Sequence, residues 1–357
     1  MTASRSSPDN IMLKAQWCRY RLDFRFVART SRETMLFKDT YFIRVFDSAA
    51  PDVCGLGEVA LFRGLSADDT PDFETALARA CQSPDGVLPP MSAIRFGFET
   101  ALADLAAGGA RCFWPSQWGE GRYGIPTNGL VWMGDKPTML TRVEEKLEQG
   151  FGVLKLKIGG IDFDDEVDII SSVRRRFSRD VLEIRLDANG SFTCDNALER
   201  LDRLSRFGIH SLEQPIMAGQ PEAMGRICRQ SPVPVALDEE LIGCRDRSDI
   251  DALLSEIRPA YIILKPSLCG GFAAADDWID AATRLGVGWW ATSALESNIG
   301  LNAIARWVAL KNPAMPQGLG TGALYHNNIS SPLQMKGDRL YYSPSLRWTL
   351  PDLQWRQ

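Results

Sequence analysis

The sequence has little histidine and no clustered cysteine. Its 357 residues include two histidines, His210 and His326, and eight widely spaced cysteines without a Cys-x-x-Cys pair. A zinc site needs Cys and His side chains close together, so this composition argues against one and predicts structural roles for both histidines. We expect the cysteines to be reduced thiols, mostly buried as small apolar groups.

Long apolar runs and a concentrated basic face are also missing. No stretch approaches the ~18 apolar residues of a membrane span, and residues 1–13 lack the apolar core of a signal peptide. The net charge is −5, and the densest basic run, residues 174–176, lies on an amphipathic stretch typical of a solvated helix. We expect a cytoplasmic protein that binds a small molecule, does not bind nucleic acid and has no membrane span. The oligomeric state stays open.

Two styles of sequence follow one another along the chain. Residues 14–62 alternate apolar and polar side chains, which predicts antiparallel strands, and residues 68–110 carry apolar side chains at helical spacing. This pattern predicts an α+β domain over residues 1–122. From residue 123 to 330, eight short apolar runs alternate mostly with amphipathic stretches, which predicts βα units closed into a parallel barrel. The tail, residues 331–357, can pack back on the first domain.

Charged residues end several of the barrel runs. Lys155 and Lys157 close the second run, and the next four runs close with Asp187, Glu213, Asp238 and Lys265. These positions recur every 25 to 30 residues, about the length of one βα unit. Each charge therefore falls at the C-terminal end of a successive strand, where barrel enzymes place their catalytic groups. Buried charges are costly unless they are paired or bound to metal, so the pattern predicts a functional site.

The carboxylates predict a metal centre. Asp187, Glu213 and Asp238 end three adjacent strands, where they would repel one another unless a cation lay between them. Oxygen ligands without nearby His or Cys favour Mg²⁺, with Mn²⁺ as an alternative. Asn189 and Glu239 flank these ligands and are expected to orient them, or else to serve as a turn residue and an outward charge. A ring of salt bridges without a metal is the competing interpretation.

The lysines predict proton transfer. Lys157 and Lys265 lie on the second and sixth strands, so a substrate held on the metal would sit between them. A buried lysine beside a cation has a lowered pKa and can act as a base near neutral pH. Lys155 is two residues from Lys157 and points the same way on a strand, where its charge can keep Lys157 deprotonated.

The ordered motifs resemble those of a known superfamily. Lys155-Leu-Lys157, Asp187-Ala-Asn189, Glu213-Gln-Pro215, Asp238-Glu-Glu240 and Lys265-Pro266 are similar to the series found in the muconate-lactonising subgroup of the enolase superfamily. The resemblance covers roughly residues 14–330. It implies a (β/α)7β barrel with an α+β N-terminal capping domain, and chemistry that begins with removal of a proton α to a Mg²⁺-bound carboxylate.

Within that subgroup, the stretches 126–134, 291–300 and 317–328 most resemble the o-succinylbenzoate synthase family of the Bacteroidetes-like type. This resemblance implies syn-dehydration of 2-succinyl-6-hydroxy-2,4-cyclohexadiene-1-carboxylate to 2-succinylbenzoate in menaquinone biosynthesis. Lys157 would remove the α-proton and then protonate the departing hydroxyl. Lys265, on the opposite face, would stabilise the enediolate electrostatically.

The groups that bind the rest of the substrate are harder to assign. Residues after the seventh and eighth strands face the same end of the barrel and are candidates: Ser293, Glu296, Gly320, Thr321 and Gly322. Their alternative role is to shape turns. Arg29 or Arg32, in a loop between two capping strands, could meet a carboxylate or simply be exposed. His326 stands where a small polar residue is expected, and its position after the last strand predicts an influence on the substrate pocket.

Other functions fit parts of this pattern. An N-acylamino acid racemase or another epimerase of the superfamily would use the same pair, Lys157 and Lys265. Residues 320–325 lack the acidic pair with which dipeptide epimerases hold an ammonium group. A mandelate-racemase-like enzyme, an aldolase or a sugar-acid dehydratase would need a histidine that the sequence does not place. A non-catalytic barrel would have no reason to keep the buried charges.

Overall fold

The N-terminal part of the chain is an antiparallel sheet covered by helices. The structure is a computed structural model that describes residues 12–29, 34–244 and 246–357. Strands β1 (Leu13–Arg29), β2 (Thr34–Asp47) and β3 (Cys54–Val59) pair in that order. Helices α1 (Phe73–Gln82) and α2 (Ser92–Ala106) pack on this sheet. The alternating and helical patterns of the sequence thus predicted the right elements.

Helix α2 lies close to β3 because glycines form part of the contact. A Cβ atom added to Gly55 or Gly57 would collide with the backbone oxygens of Ala101 and Gly97 in α2. The absence of those side chains lets the helix rest directly on the strand.

Parallel strands follow one another around the barrel. They lie in chain order, each paired with the next: β5 (Gly129–Val131), β6 (Val153–Lys157), β7 (Glu183–Asp187), β8 (Ser211–Glu213), β9 (Val235–Leu237), β10 (Tyr261–Leu264) and β11 (Gly288–Ala291). Gln317 and Gly318 form the eighth strand. Gln317 bridges Thr127 on one side and Gly318 bridges Thr292 on the other, both in parallel, so this short strand joins the two edges of the sheet.

A helix follows each of the first seven barrel strands, giving the expected (β/α)7β order. These helices are α3 (Lys136–Glu148), α4 (Phe163–Arg176), α5 (Ala197–Ser205), α6 (Pro221–Gln230), α7 (Arg247–Ile257), α8 (Gly271–Leu285) and α9 (Asn298–Lys311). Several begin at a side-chain cap: Asp135, Asp162, Asp246 and Ser297 each accept a hydrogen bond from an N–H of the first turn. Within the described residues, no helix is both long and apolar enough to cross a membrane.

The C-terminal tail contacts both parts of the chain. Strand β4 (Ile125–Pro126) pairs with β13 (Arg339–Tyr342), which pairs with β12 (Leu333–Lys336). Farther on, the backbones of Trp17 and Arg356 exchange two hydrogen bonds, which returns the end of the chain to β1. The predicted domain boundaries at residues 122 and 330 stay predictions. The eight cysteines are free thiols, as the sequence predicted, but only Cys18, Cys81 and Cys269 are buried, so the expectation that most of them are buried is wrong.

Candidate active site

Strand register brings the charged strand ends together at the C-terminal end of the barrel, which we name the mouth. Lys157 is the register partner of Asp187, and Asp187 is the partner of Glu213 on the next strand. Asp238 directly follows β9 and Lys265 directly follows β10. We name this group the mouth cluster; its members are Lys155, Lys157, Asp187, Glu213, Asp238 and Lys265.

Ion pairs connect the members of the mouth cluster. Lys155 Nζ lies 2.6 Å from Glu213 Oε2 and 2.9 Å from Asp187 Oδ2. Lys157 Nζ lies 2.9 Å from the same Asp187 oxygen. Lys265 Nζ pairs with Asp238 Oδ2. The side chains of Asp187 and Glu213 are at most 2% exposed, so these charges sit in a low-dielectric environment where pairing matters most.

The electrostatics of the carboxylates are unequal. Burial is the largest influence on Asp187 and would raise its pKa, but the ammonium groups of Lys155 and Lys157 together hold that pKa below its ordinary value. The pKa of Glu213 shifts in the opposite direction. Burial is the largest influence and the charge of Asp187 the next, and together they raise it well above the usual range. The mouth cluster therefore contains one carboxylate that its neighbours do not fully stabilise in the charged form.

The lysine pKa values reflect the same crowding. Burial, the largest influence on Lys155, lowers its pKa, but the charges of Asp187 and Glu213 raise it overall. For Lys265, burial likewise lowers the pKa and Asp238 leads the charges that raise it. The lowered lysine pKa that the sequence predicted requires a cation on these carboxylates, and it stays a prediction.

A cavity of about 320 Å³ opens above the mouth cluster. Lys157 and Lys265 both line it. Their strands, β6 and β10, are separated in the sheet by β7, β8 and β9, so the two lysines approach the cavity from different sides. Their side chains are 12% and 14% exposed, which leaves the ammonium groups accessible to a bound molecule. Lys155 and Asp187 also line the cavity.

Asn189 and Glu239 extend the polar contacts of Lys157. Lys157 Nζ donates to Asn189 Oδ1 over 2.6 Å, and Asn189 Nδ2 donates to Glu239 Oε1 over 3.0 Å. Asn189 N donates to Asp187 Oδ1, in a turn where Asn189 has a φ of 44°. These contacts fix the orientation of Lys157 and Asp187, and the predicted role of Asn189 and Glu239 in orienting metal ligands stays a prediction.

The carboxylates of Asp187, Glu213 and Asp238 fit a hard cation. In the structure they are paired with the ammonium groups of neighbouring lysines. In the part of the chain that the structure describes, no three His, Cys, Asp or Glu side chains are already arranged around a metal position. Glu213 Oε1 is nevertheless buried and has no hydrogen-bond partner there. An orphaned carboxylate oxygen beside Asp187, with Asp238 following the next strand, is the kind of group that a divalent cation satisfies.

The predicted substrate-binding residues divide into two groups. Ser293, Gly320 and Thr321 line the cavity, as expected of groups that meet a substrate. Glu296 and Gly322 are not among the lining residues, so the structure does not bring them to the cavity, and their contact with substrate stays a prediction. Glu296 is fully buried behind the wall, where it accepts hydrogen bonds from Ser267 and Ser293, and Gly322 packs against α9 beside Asn298 and Leu301.

Two further predictions concern positions near the capping strands. The side chain of Arg29 and all of Arg32 lie outside the described residues. His326 has an exposed side chain and does not line the cavity, and its predicted influence on the substrate pocket stays a prediction. The reason for the exposure is backbone pairing: His326 N donates to Asp23 O in β1, and the neighbouring Tyr325 is the residue that turns inward. His210, by contrast, stacks on Tyr261 in the structural role predicted for it.

Sequence reasoning missed the rest of the cavity wall. The loop after β3 covers the cavity with Phe62, Arg63, Gly64 and Leu65, and Leu130, Trp132 and Leu295 add an apolar side. A signal for the loop exists in the sequence, because the apolar run of β3 continues past its end into Leu61 and Phe62 and then meets Arg63. An apolar run followed by an arginine does not by itself reveal which distant element it will face.

Comparisons with known proteins agree with this architecture. Residues 138–342 match the family described as "Enolase C-terminal domain-like". The chain is 43% identical to the o-succinylbenzoate synthase of Desulfotalea psychrophila, over 92% of this chain and 98% of that one. It is 27% identical to the N-succinylamino acid racemase of an Amycolatopsis species, over 68% and 64% of the two chains.

A solved structure agrees as well. The crystal structure of MenC from Desulfotalea psychrophila LSv54 superimposes with a TM-score of 0.78 at 41% identity, covering 92% of this chain and 99% of that one. The barrel order, the charged strand ends and these similarities together identify the chain as a member of the enolase superfamily, in the enolase C-terminal domain-like family.

Proposed function

We propose that this chain is an o-succinylbenzoate synthase, a carbon–oxygen lyase that dehydrates 2-succinyl-6-hydroxy-2,4-cyclohexadiene-1-carboxylate to 2-succinylbenzoate. The observation that carries the proposal is the pair Lys157 and Lys265 on different sides of one cavity, above buried carboxylates. The 43% identity to the Desulfotalea psychrophila o-succinylbenzoate synthase, over nearly the whole of both chains, supports the choice of reaction. The proposal carries with it a place in menaquinone biosynthesis and a cytoplasmic location.

Asp187, Glu213 and Asp238 are the residues that would hold the metal, which we propose to be Mg²⁺, with Mn²⁺ as a substitute. When bound, the cation supplies a positive charge that holds the substrate carboxylate and stabilises the negative charge left when the α-proton departs. The support is the oxygen-only donor set and the buried, unpartnered Glu213 Oε1 among the described residues.

Proton movement belongs to the lysines. Lys157 Nζ, as the neutral amine, accepts the α-proton of the substrate, and the electrons of that C–H bond form the new ring double bond as the neighbouring C–O bond breaks. The same Nζ then gives the proton to the leaving hydroxyl, so water departs from the face on which the proton was taken. Asn189 and Asp187 hold Nζ of Lys157 in place, at 2.6 and 2.9 Å. Lys265 contributes positive charge from the other side.

The apolar wall suits the ring of this substrate. Leu130, Trp132 and Leu295 line the cavity and belong to one apolar cluster. A cyclohexadiene ring can lie against these side chains while its carboxylate faces the charged residues. Water is kept from this side by the apolar cluster that joins Trp132 and Leu295 to the capping strands.

The substrate test is a direct one. Purified full-length protein is incubated with the cyclohexadiene substrate and Mg²⁺, the loss of diene absorbance is followed, and the product mass is measured. We expect conversion to a product lighter by one water molecule. An absence of conversion by protein that still binds Mg²⁺ would overturn the proposed reaction.

A second candidate function is racemisation of N-succinylamino acids. Lysines on different sides of one cavity can remove and return a proton on opposite faces, and the Amycolatopsis relative at 27% identity carries that name. Loss of optical rotation of an N-succinylamino acid, measured with the same protein preparation, decides between racemisation alone, dehydration alone and both activities together.

A further inference from the structure

A buried polar network lies directly behind the apolar wall of the cavity. At its centre is Leu295, which lines the cavity and whose backbone has a φ of 62°. A leucine in this left-handed conformation is strained, and it persists only where its surroundings hold it. The groups that hold Leu295 therefore control where the wall stands.

Both backbone polar groups of Leu295 are held by buried side chains. Its carbonyl oxygen accepts a hydrogen bond from Tyr325 Oη at 2.7 Å and another from Lys38 Nζ at 3.1 Å. Its N–H donates to Ser293 Oγ at 3.0 Å. Lys38 and Tyr325 come from β2 and from the segment after the eighth strand, so residues remote in sequence converge on one peptide unit.

Two buried carboxylates continue the network. Glu296 accepts hydrogen bonds from Ser293 Oγ at 2.7 Å and from Ser267 Oγ at 2.5 Å. Glu58 of β3 accepts from Ser297 N at 2.9 Å, Ser297 Oγ at 2.6 Å and Gly300 N at 2.9 Å. Glu58 therefore caps helix α9 from the neighbouring sheet and fixes the C-terminal side of the same loop.

None of the charged groups in this network contacts the cavity. Lys38 is 6% exposed, and Glu58 and Glu296 are fully buried. Burial lowers the pKa of Lys38 and raises the pKa of Glu58, each against the effect of the other's charge. Such groups act on a substrate only through the residues they hold, which here are the cavity-lining residues Ser293 and Leu295.

We propose that Tyr325, Lys38 and Glu58 are positioning residues that set the affinity for the ring of the substrate by holding Leu295 against it. The inference rests on the proposed function for its substrate, but its structural half, the clamping of residues 293–297, does not. Because Lys157 and Lys265 stand on other strands, weakening the clamp loosens substrate binding and leaves the proton transfer largely intact.

The mildest test is Tyr325→Phe, which removes one hydrogen bond to Leu295 O and keeps the ring. We expect KM for the cyclohexadiene substrate to rise about fivefold, as the loss of one buried hydrogen bond implies, with kcat within about twofold of wild type. Lys38→Met, which removes the other hydrogen bond to Leu295 O, should also raise KM, and the double variant should raise it further. A fall in kcat at unchanged KM in both variants would overturn the inference.

The sharper test compares Glu58→Gln with Glu99→Gln. Glu99 of α2 also caps a barrel helix from the capping side, accepting from Phe272 N at the start of α8, and burial raises its pKa as it does for Glu58. Glu99 does not line the active-site cavity. Both variants are expected to lose stability, and only Glu58→Gln is expected to raise KM.

Amide hydrogen exchange makes the test independent of any substrate. We expect Glu58→Gln and Tyr325→Phe to speed exchange in residues 292–301, and Glu99→Gln to speed it in residues 271–275 alone. Faster exchange at 292–301 without a change in KM would mean that the network only stabilises the fold. Unchanged exchange would mean that the network does not hold residues 293–297 in place. Either result would overturn the inference. If the wild-type protein turned over no cyclohexadiene substrate, the proposed function would fail while the exchange result still decided the clamp.

Discussion

Strand β7 carries two buried charged residues whose surroundings differ. Arg185 and Asp187 are two residues apart, so both side chains enter the barrel interior. Arg185, below, donates to Glu183 at 2.7 Å and to Pro316 O at 2.9 Å, and its guanidinium carbon lies 4.4 Å from the centroid of the Trp290 ring. Asp187, above, is contacted by two ammonium groups at the edge of a cavity.

Aromatic rings account for much of this contrast. At the lower end, His210 stacks on Tyr261 with ring centroids 4.9 Å apart, and Tyr261 meets Trp290 at 5.5 Å. Of these rings, Trp290 makes the cation–π contact with the guanidinium of Arg185. At the mouth, the charges instead border a space of about 320 Å³. Along β7, a buried charge thus belongs to the catalytic site only where a substrate can reach it; two residues away it is part of the packing.

Among the variants at the mouth and the lower end of the barrel, Lys157→Ala should reduce activity the most. We expect turnover to fall by at least ~10³-fold, because general acid–base catalysis contributes about 10²–10⁴-fold and the variant removes the proton acceptor. The free energy of unfolding should change by no more than about 1 kcal/mol, since Asp187 keeps Lys155 as its partner. Steady-state kinetics and urea unfolding measure the two quantities. More than a few per cent of residual turnover would contradict the role of Lys157.

Glu213→Gln should weaken metal binding and activity together. The variant removes one of the three predicted metal ligands, so we expect the Mg²⁺ concentration for half-maximal activity to rise at least ~10-fold. Titration of turnover with Mg²⁺ measures this. Asp165→Gln is a suitable control, because Asp165 is exposed on α4 and pairs with Lys136 away from the cavity. An unchanged Mg²⁺ requirement in Glu213→Gln would count against the carboxylate triad.

Arg63→Met tests what a positive charge at the rim of the mouth contributes to substrate binding. Arg63 lines the cavity from the capping loop and pairs with Asp69 at 2.6 Å, with about half of its side chain exposed. A positive charge at the rim attracts a substrate with two carboxylates, so we expect KM to rise about threefold at low ionic strength and less at high salt. Arg122→Met, far from the cavity, is the control. Equal effects in both variants would remove any special role for Arg63.

Arg185→Ala should have the smallest effect on activity and a large one on stability. The variant removes the cation–π contact with Trp290 and the hydrogen-bond donor to Glu183, so we expect the free energy of unfolding to fall by about 3 kcal/mol. Turnover at a temperature where the variant is folded should stay within about twofold of wild type. Urea unfolding and kinetics on the same preparation test this. A tenfold loss of kcat would mean that the two ends of the barrel are not separable.

The sequence predicted the barrel and the mouth cluster because both depend on regular spacing. A βα unit has a nearly fixed length, so charges at intervals of 25 to 30 residues had to share one end of the barrel. The capping sheet and its helices followed from period-2 and helical patterns for the same reason. These features are set by local periodicity, and one sequence displays them.

Other features depend on contacts between remote segments, and they could not be predicted. The sequence placed Glu296 after a strand end but did not show that Ser267 and Ser293 would hold its carboxylate away from the cavity. His326 and Tyr325 are neighbours, and only pairing with β1 decides which of them turns inward. The left-handed backbone of Leu295 has no sequence signal, because leucine rarely adopts it.

The central claim is that the charged mouth works with a divalent cation, whereas the aromatic lower end only supports it. The most direct measurement follows the diene absorbance of the cyclohexadiene substrate with wild-type protein, first in Mg²⁺, then after EDTA, and then after Mg²⁺ is restored. We predict fast turnover, its loss, and its recovery. Turnover that persists in excess EDTA would contradict the claim, and would return Asp187, Glu213 and Asp238 to the role of a salt-bridged ring.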